Sequence, residues 1–437
     1  MKSAVLLFAL LLTASFGGHA EPLARPDLAG QVLDASGAAV PNIQVMILAA
    51  GPRRGNSPLC PSNYPDCGKR VFTDPQGNFR LSSLDPSLDF CIAALAPGHA
   101  PAIQSKILPE AGSVKLILRA NDSSSAPPER RITGRMIGPD GAPVAGALID
   151  VEGVENKNST RWGGNDVTDG MTVSDGDGEF HLGGRKDFTA LQTRVSAAGL
   201  APRWARLEPG KTALLRLRPG VTVRGRLVKD GQAVTGVELG LCTEERQSGK
   251  YFNGMQAVSG EDGRFVFRNV PAGLKFQVFG KMDPLRSRGM ACQREFVSAE
   301  DGGTSELGDW QMVPAYRLAG RMLLSDGKPI PANTRLMISR EAAWDNVLVP
   351  VDRQGGFDVA GIPAERFELH ISVPGYHLSP RNSNLELSSH RSLVGRVVGD
   401  TPDLSILLEP GKERNGTTSI RLPTKNFSVS PSCLCVE

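Results

Sequence analysis

The strongest constraint on the fold of this chain is a short segment that recurs four times. In each copy a glycine has an apolar residue two positions before it and another two positions after it. The copies are Leu28-Gly30-Val32, Ile132-Gly134-Met136, Val223-Gly225-Leu227 and Leu318-Gly320-Met322. Apolar residues at every second position predict a half-buried strand. The central glycine is expected where a neighbouring strand passes too close for a side chain.

Two turn signals follow each copy of this strand. The first is a glycine six or seven residues later, at Gly37, Gly141, Gly231 and Gly327. The second is Asp-x-x-Gly-x-Phe, found at 74–79, 175–180 and 352–357, and at 260–265 with Gly260 in place of the Asp. An Asp at this position can cap its own turn. The Phe of each copy is predicted to enter the core, and these residues are Phe79, Phe180, Phe265 and Phe357.

The repeats divide the chain into modules of about 100 residues, a size that can bury its own core. We predict an all-β chain of four tandem antiparallel β-sandwich modules, because short alternating strands separated by turns are typical of sandwiches. The predicted modules are 22–119, 131–219, 220–315 and 316–410, with a polar linker at 121–130 and a tail at 411–437.

Taken together, these signals resemble the carboxypeptidase regulatory-like domain. The resemblance rests on the apolar-x-Gly-x-apolar strand, the Gly-x-Pro-Val turn at Gly141 to Val144, and the Asp-x-x-Gly-x-Phe turn. It implies a transthyretin-like (prealbumin-like), carbohydrate-binding-like β-sandwich, which accompanies peptidases and outer-membrane receptors and has no active site of its own. Such a likeness of fold does not by itself give a function.

The N-terminus predicts export. Lys2 precedes an apolar run from Ala4 to Leu12, and small residues end at Ala20, where a signal peptide (1–20) is expected to be cut. No later stretch reaches 18 apolar residues, so no membrane span is predicted in the mature chain. With 49 Lys and Arg against 46 Asp and Glu, and no run of like charges, nothing points to nucleic acid. We expect a secreted, periplasmic or cell-surface protein.

The seven cysteines of an exported chain are candidates for disulfides. Cys242 and Cys292 are the only two in the third module, so they are the first predicted pair. The first module holds Cys60, Cys67 and Cys91, and the sequence does not choose between them. Cys433 and Cys435 in the tail are either free thiols, an intermolecular bridge or a metal handle.

The motifs of the common hydrolases and nucleotide-binding enzymes are missing from the sequence. No His is followed three residues later by Glu, so the zinc ligands of a metallopeptidase are absent, as are the Gly-x-Ser-x-Gly and phosphate-loop motifs. Asp175-Gly-Asp177-Gly-Glu179 suggests either a calcium loop or a plain hairpin turn. His370 and His377 are close in sequence and suggest at most a weak metal site. We predict no enzyme activity and no cofactor.

Two insertions interrupt the repeat pattern, at Gly51 to Arg70 and at Gly153 to Asp169. Insertions on a conserved scaffold are where binding loops commonly lie, although many have no role. Trp162, in the second insertion, and Trp204 are the candidate ligand-binding residues, since exposed aromatic faces bind sugars. The alternative is that each Trp covers the open end of its sandwich.

The leading hypothesis is a non-catalytic envelope protein, a short rod of sandwiches that spaces or presents loops. An alternative is a protein that binds carbohydrate or glycan through sandwich loops. A third is an accessory subunit of a secreted peptidase or an outer-membrane receptor system. The partner, a glycan or another envelope protein, remains open.

Overall fold

The computed structural model describes residues 25–121, 126–163, 167–244, 249–285, 289–340, 343, 345–382 and 385–411. The predicted signal peptide, the tail beyond 411 with Cys433 and Cys435, and part of the linker lie outside this range. The described chain is almost entirely β-structure and forms four β-sandwiches in tandem. The predicted fold class is confirmed.

The strands and short helices follow in chain order. The first sandwich contains β1 (Leu28–Leu33), β2 (Gln44–Pro52), a 3₁₀ turn (Pro61–Asn63), β3 (Arg70–Phe72), β4 (Asn78–Leu81), β5 (Leu88–Leu95), β6 (His99–Ala100), β7 (Ala102–Ile107), β8 (Ser113–Ile117) and β9 (Arg119–Ala120). A 3₁₀ turn (Pro128–Arg130) precedes the second sandwich, with β10 (Arg131–Ile137), β11 (Leu148–Asn156), β12 (Ser159–Trp162), β13 (Met171–Val173), β14 (Glu179–Gly183), β15 (Ala190–Ser196), β16 (Arg203–Leu207) and β17 (Thr212–Arg216).

The third sandwich contains β18 (Val221–Lys229), β19 (Gln232–Ala233), β20 (Glu238–Thr243), β21 (Met255–Val258), β22 (Arg264–Val270), β23 (Lys275–Gly280), the short helix α1 (Met282–Leu285), β24 (Arg294–Val297) and β25 (Thr304–Gln311). The fourth contains β26 (Tyr316–Leu324), β27 (Arg335–Arg340), β28 (Asn346–Pro350), β29 (Gly356–Ile362), β30 (Arg366–Ile371), β31 (Tyr376–Leu378), β32 (Glu386–Ser389), β33 (Ser392–Arg396) and β34 (Thr401–Pro410).

Each sandwich consists of two sheets, which we call outer and inner. The outer sheet contains the opening strand between two neighbours, in the orders β4-β1-β8, β14-β10-β17, β22-β18-β25 and β29-β26-β34-β31, and β19 also pairs with β18. The inner sheets have the orders β3-β2-β5-β7, β12-β11-β15-β16, β21-β20-β23-β24 and β28-β27-β30-β33-β32. In the second inner sheet β13 also pairs with β11. Apolar side chains of the two sheets face each other and form the core of each sandwich.

The opening glycine lies opposite the Phe of the repeated turn signal in all four outer sheets. The register pairs Gly30 with Phe79, Gly134 with Phe180, Gly225 with Phe265, and Gly320 with Phe357. A methyl group added at the first three glycines would meet the Phe ring, for example 2.7 Å from Phe265 Cζ at Gly225. A methyl group at Gly320 would instead meet the backbone of Leu404 on the adjacent strand. The predicted reason for the glycine, close approach of a neighbouring strand, is confirmed.

The pairing on the other side of each opening strand is parallel, whereas the prediction was of antiparallel sheets. The last long strand of each sandwich pairs with the first in parallel, as β8 with β1, β17 with β10, β25 with β18, and β34 with β26. Parallel neighbours require a crossover connection. Here the connection passes through the inner sheet, so the chain returns to the outer sheet in the direction in which it began.

The turns follow the sequence prediction. Gly37, Gly141, Gly231 and Gly327 all have φ between +74° and +87°. Asp175 Oδ1 accepts hydrogen bonds from the backbone N–H groups of Asp177 and Glu179, at 3.0 and 2.8 Å. The first-sandwich turn is capped by its Asp in the same way. Asp175 therefore has the turn-capping role that the hairpin interpretation predicted for it.

The four sandwiches contact one another in a closed cycle through their inner sheets. We name the contacts as seams, from the first seam (first and second sandwiches) to the fourth seam (fourth and first sandwiches). Leu48 and Cys91 pack against Met171 at the first seam, and Met337 joins the apolar core of the first sandwich at the fourth. The expectation of a short rod is wrong, because sandwiches joined end to end in a rod would separate the first sandwich from the fourth, and here they are in contact.

We expect Gly134→Ala to lower the free energy of unfolding by about 1–3 kcal/mol, the usual cost of overpacking. The added methyl group would meet the Phe180 ring and lie 2.8 Å from the Ala213 carbonyl oxygen. Gly176→Ala is the matched control, because a methyl group there has no atom within 4 Å and φ is not positive. Urea denaturation measures both. Equal stabilities for the two variants would contradict the packing argument.

We expect the mature chain, residues 21–437, to have a radius of gyration near that of a compact body, about 22 Å. An end-to-end rod of four sandwiches would give roughly twice this value. Small-angle X-ray scattering distinguishes the two. Met337→Asp, which places a charge in the fourth seam, is expected to increase the radius. Leu387→Asp, at an exposed position of β32, is the control and should leave it unchanged.

Candidate functional site

Both tryptophans that the sequence suggested as ligand-binding residues lie at a seam. At the second seam the rings of Trp162 and Trp204 meet edge to face, with centroids 6.0 Å apart. Trp204 also lies 6.4 Å from Phe252 of the third sandwich. Trp162 is held against Gly153 of its own sheet and Gly249 of the third sandwich, where an added methyl group would lie 2.9 and 2.5 Å from the indole. Both side chains are half-buried.

A partly buried charged cluster borders these aromatic rings. Arg194 of β15 forms ion pairs with Glu152 at 3.1 Å and Asp150 at 3.5 Å, both on β11. Arg194 Nη1 donates to Asn253 Oδ1 of the third sandwich at 3.5 Å. The pKa of Glu152 is raised to about 8, mainly by burial and also by the neighbouring Asp150, against the opposing effect of Arg194. Glu152 Oε2 has no hydrogen-bond partner among the described residues.

The third seam is organised around Arg340, which is 2% exposed. Arg340 donates to the Gly280 carbonyl oxygen of the third sandwich at 2.7 Å and pairs with Glu365 at 2.7 Å and Asp345 at 3.4 Å. Its guanidinium also lies 5.7 Å from the centre of the Phe279 ring. These charged groups bind the two sandwiches together. The sequence pattern of β27 did not predict this role, because an arginine at the end of a strand is ordinarily exposed to solvent.

Glu365 and Asp345 also reach across the third seam. Glu365 accepts from the backbone N–H and the side-chain amide of Gln293, at 2.6 and 3.0 Å, and Asp345 accepts from the Met282 N–H at 3.0 Å. Burial raises the pKa of Asp345, and the nearby Arg340 opposes this shift. Each carboxylate therefore contacts both Arg340 and the third sandwich.

The first insertion lies at the fourth seam. Gly55 approaches Asn333 so closely that an added methyl group would be 2.6 Å from Asn333 Cβ. Leu59 and Tyr64 of the insertion belong to the same apolar cluster as Met337. The second insertion supplies Trp162 to the second seam. Both insertions, predicted as candidate binding loops, therefore contribute to contacts between sandwiches.

The structure does not form the predicted Cys242–Cys292 bridge. Cys242 is buried in a cluster with Phe279 and Ala343, whereas Cys292 lies beside Glu365, and burial raises the pKa of its thiol to about 11. The two thiols thus occupy different surroundings of the third seam.

Two cysteines of the first sandwich, Cys60 and Cys67, lie in the first insertion, and Cys91 lies on β5. Cys60 Sγ lies 3.5 Å from Ser62 Oγ, and the Cys67 thiol donates to the Pro61 carbonyl oxygen at 3.2 Å. Cys60 and Cys67 are not bridged to each other. Cys91 is buried at the first seam.

His370 lies on the inner sheet of the fourth sandwich between two serine hydroxyls. Ser339 Oγ is 3.1 Å from Nε2 and Ser392 Oγ is 3.2 Å from Nδ1. Burial lowers the pKa of His370 to about 4. A neutral imidazole has one donor and one acceptor, which match the two hydroxyls. His377, the other histidine considered for a metal, lies on β31 opposite Glu409. The described residues include no group of three or more His, Cys, Asp or Glu arranged to hold a metal ion.

Comparisons with known proteins identify distant structural neighbours. The chain matches no protein-family model and no curated protein. Among solved structures it is similar to a streptococcal ancillary pilin (11% identity, 66% of this chain and 99% of that chain, TM-score 0.24). It is also similar to the Bacillus anthracis TIE protein (12%, 88% and 73%, TM-score 0.19) and to a minor pilin of Streptococcus agalactiae (10%, 46% and 100%, TM-score 0.22). These values support no functional inference. The described part of the chain contains no helix with the length and apolar character needed to span a bilayer.

Glu152 predicts a pH dependence of stability. Its pKa is about 8 in the folded chain against an ordinary value of 4.5, so the folded state binds the proton more tightly. The stabilisation is complete below pH 4.5 and is lost as the pH rises through 8. We expect Glu152→Gln to be more stable than the parent chain by roughly 1–3 kcal/mol at pH 9, with little difference at pH 4.5.

Urea denaturation at pH 4.5, 7 and 9 measures this difference. Glu261→Gln, at an exposed turn position, is the control and is expected to follow the parent chain at each pH. A Glu152→Gln variant whose advantage is the same at pH 4.5 and pH 9 would contradict the assignment of a raised pKa.

Proposed function

We propose that this chain is a non-catalytic, exported scaffold of four carboxypeptidase regulatory-like sandwiches that presents sheet edges to a protein partner at the cell envelope. In this proposal residues 1–20 are a cleaved signal peptide and the modules have the bounds given above. The observation that carries the proposal is the closed cycle of seams, in which the first sandwich contacts the fourth. A closed arrangement fixes the relative positions of its outward surfaces, as a scaffold requires.

The inner sheets leave edge strands available. In the third sandwich β21 and β24 are the two ends of the inner sheet. They carry the exposed residues Val258 (59% exposed) and Val297 (64%). An edge strand offers unpaired backbone N–H and C=O groups, and an exposed apolar side chain on it adds contact area for a partner strand. These edges are therefore the proposed contact surface.

The aromatic residues of the second seam argue against glycan binding as the leading function. Trp162 and Trp204 contact each other and the third sandwich, so their faces are used in packing. Glycan binding through them remains the second candidate. It requires that replacing both by Ala abolishes retention on immobilised polysaccharides without disturbing the radius of gyration.

Site-specific photocrosslinking tests the proposed function. The photoreactive residue p-benzoylphenylalanine is introduced at one position at a time in the exported protein. We expect adducts with an envelope protein at positions 258 and 297. Position 398 is the control, because Val398 is 81% exposed but lies outside the strands. If one partner occupies both edges, Val258→Lys should also reduce the amount of adduct formed at position 297. If each edge has its own partner, the adduct at 297 should be unchanged. Adducts equally abundant at 398, or none at either edge, would count against the proposal.

A further inference from the structure

The fourth seam contains a cavity that neither the scaffold role nor the packing of the sandwiches explains. Its volume is about 280 Å³, and it is lined by Arg53, Arg54, Ser87, Asn333 and Arg335. Arg53 and Arg54 come from the first insertion, whereas Arg335 begins β27 of the fourth sandwich. Three arginines from two sandwiches therefore line one small space.

Arg53 is held by its own sandwich. Its guanidinium makes a bidentate pair with Glu110, and its Nε donates to the Leu88 carbonyl oxygen at 3.2 Å. The bond to Glu110 raises the pKa of Arg53, and Asp89 and Asp85 contribute more weakly. These acidic groups compensate the charge of Arg53 and orient its side chain.

The positive charges of Arg54 and Arg335 are not compensated by acidic groups in this way. No carboxylate among the described residues lies within ion-pair distance of either guanidinium. Arg335 is half-buried, and its Nη1 donates to the backbone carbonyl oxygen of Arg54 at 3.4 Å. The Arg54 side chain is exposed, so an anion from solvent can reach the cavity that both arginines line.

The backbone around the cavity is fixed in place. Gly55 has φ +76° and Asn333 has φ +60°, and the two residues touch across the seam. Arg54 directly precedes Gly55, and Arg335 follows Asn333 by two positions. The two arginines therefore extend from a close, non-regular backbone contact, which limits how far they can move apart. Such preorganisation favours binding.

We propose that this cavity binds the oxyanion group of a small ligand, a phosphate, sulfate or carboxylate, held between Arg54 and Arg335. The planar guanidinium fork matches these groups in geometry, and the charge-assisted hydrogen bonds are stronger than neutral ones. The Asn333 amide and Ser87 hydroxyl supply further polar contacts at the rim. The volume admits the oxyanion with a body no larger than a monosaccharide. This site is independent of the partner surface proposed above.

Ligand binding to a site shared by two sandwiches stabilises the folded chain. The melting temperature is therefore measured in 5 mM sodium phosphate, sodium sulfate or sodium glucuronate, each against sodium chloride at matched ionic strength. We expect an increase of about 2 °C with at least one of the three oxyanions. An increase with both phosphate and sulfate indicates a tetrahedral oxyanion as the ligand, whereas an increase with glucuronate alone indicates a sugar carboxylate. No increase with any of them overturns the proposal.

Matched variants separate binding from general salt effects. The Arg54→Gln/Arg335→Gln variant is expected to lose the increase, whereas Arg268→Gln, an exposed arginine of β22, keeps it. In chloride alone the double variant should be at least as stable as the parent chain, because a like-charge pair has been removed. A double variant that is less stable in chloride would show that the arginines hold the seam themselves, and an increase that survives in it would place the anion elsewhere. Either result overturns the proposal.

Discussion

The fold depends on the close approach of three backbones at the opening glycine of each outer sheet. The opening strand has a Phe-bearing strand on one side and the parallel closing strand on the other. At Gly225 the missing side chain leaves room for the Phe265 ring and for the Gly308 carbonyl oxygen. The ring can then lie in the core and contact Trp310, 6.1 Å away. One vacant Cβ position therefore permits both the strand pairing and the packing of the two sheets.

Much of each sandwich could be predicted because its determinants are local and repeat four times. The glycine and phenylalanine landmarks each occupy a defined backbone position, and the alternation between them marks the strands. The direction of the closing strand could not be predicted. An alternating strand has the same apolar pattern whichever way its neighbour runs, so nothing in Leu404 to Leu408 distinguishes the observed parallel pairing with β26 from an antiparallel one.

The seams could not be predicted, because their partners are distant in sequence and unlike one another. Arg340 contacts Gly280, 60 positions earlier, and Trp162 packs on Gly249, where a side chain would meet the indole. The candidate site was found in part: Trp162 and Trp204 were selected from their residue type, and they do lie together. Their neighbours Glu152 and Arg194 carried no signal, since charged residues on a strand are ordinarily solvent-exposed.

The buried charges distinguish seams that apolar packing alone would leave similar. Four related inner sheets present related apolar surfaces, and such surfaces can exchange partners with little cost. At the second seam Arg194 is matched by Asp150 and Glu152, and at the third Arg340 is matched by Glu365 and Asp345. In a mismatched pair of sandwiches these groups would keep the ion-pair partners of their own sandwich but lose their hydrogen bonds across the seam. Those bonds join Arg194 to Asn253, Arg340 to Gly280, Glu365 to Gln293 and Asp345 to Met282. A buried polar group left without its partner is destabilising. Arg335 at the fourth seam differs because its described neighbours include no matching acid. An oxyanion held there would complete the same pattern, with the negative charge supplied by a ligand instead of a carboxylate of the chain.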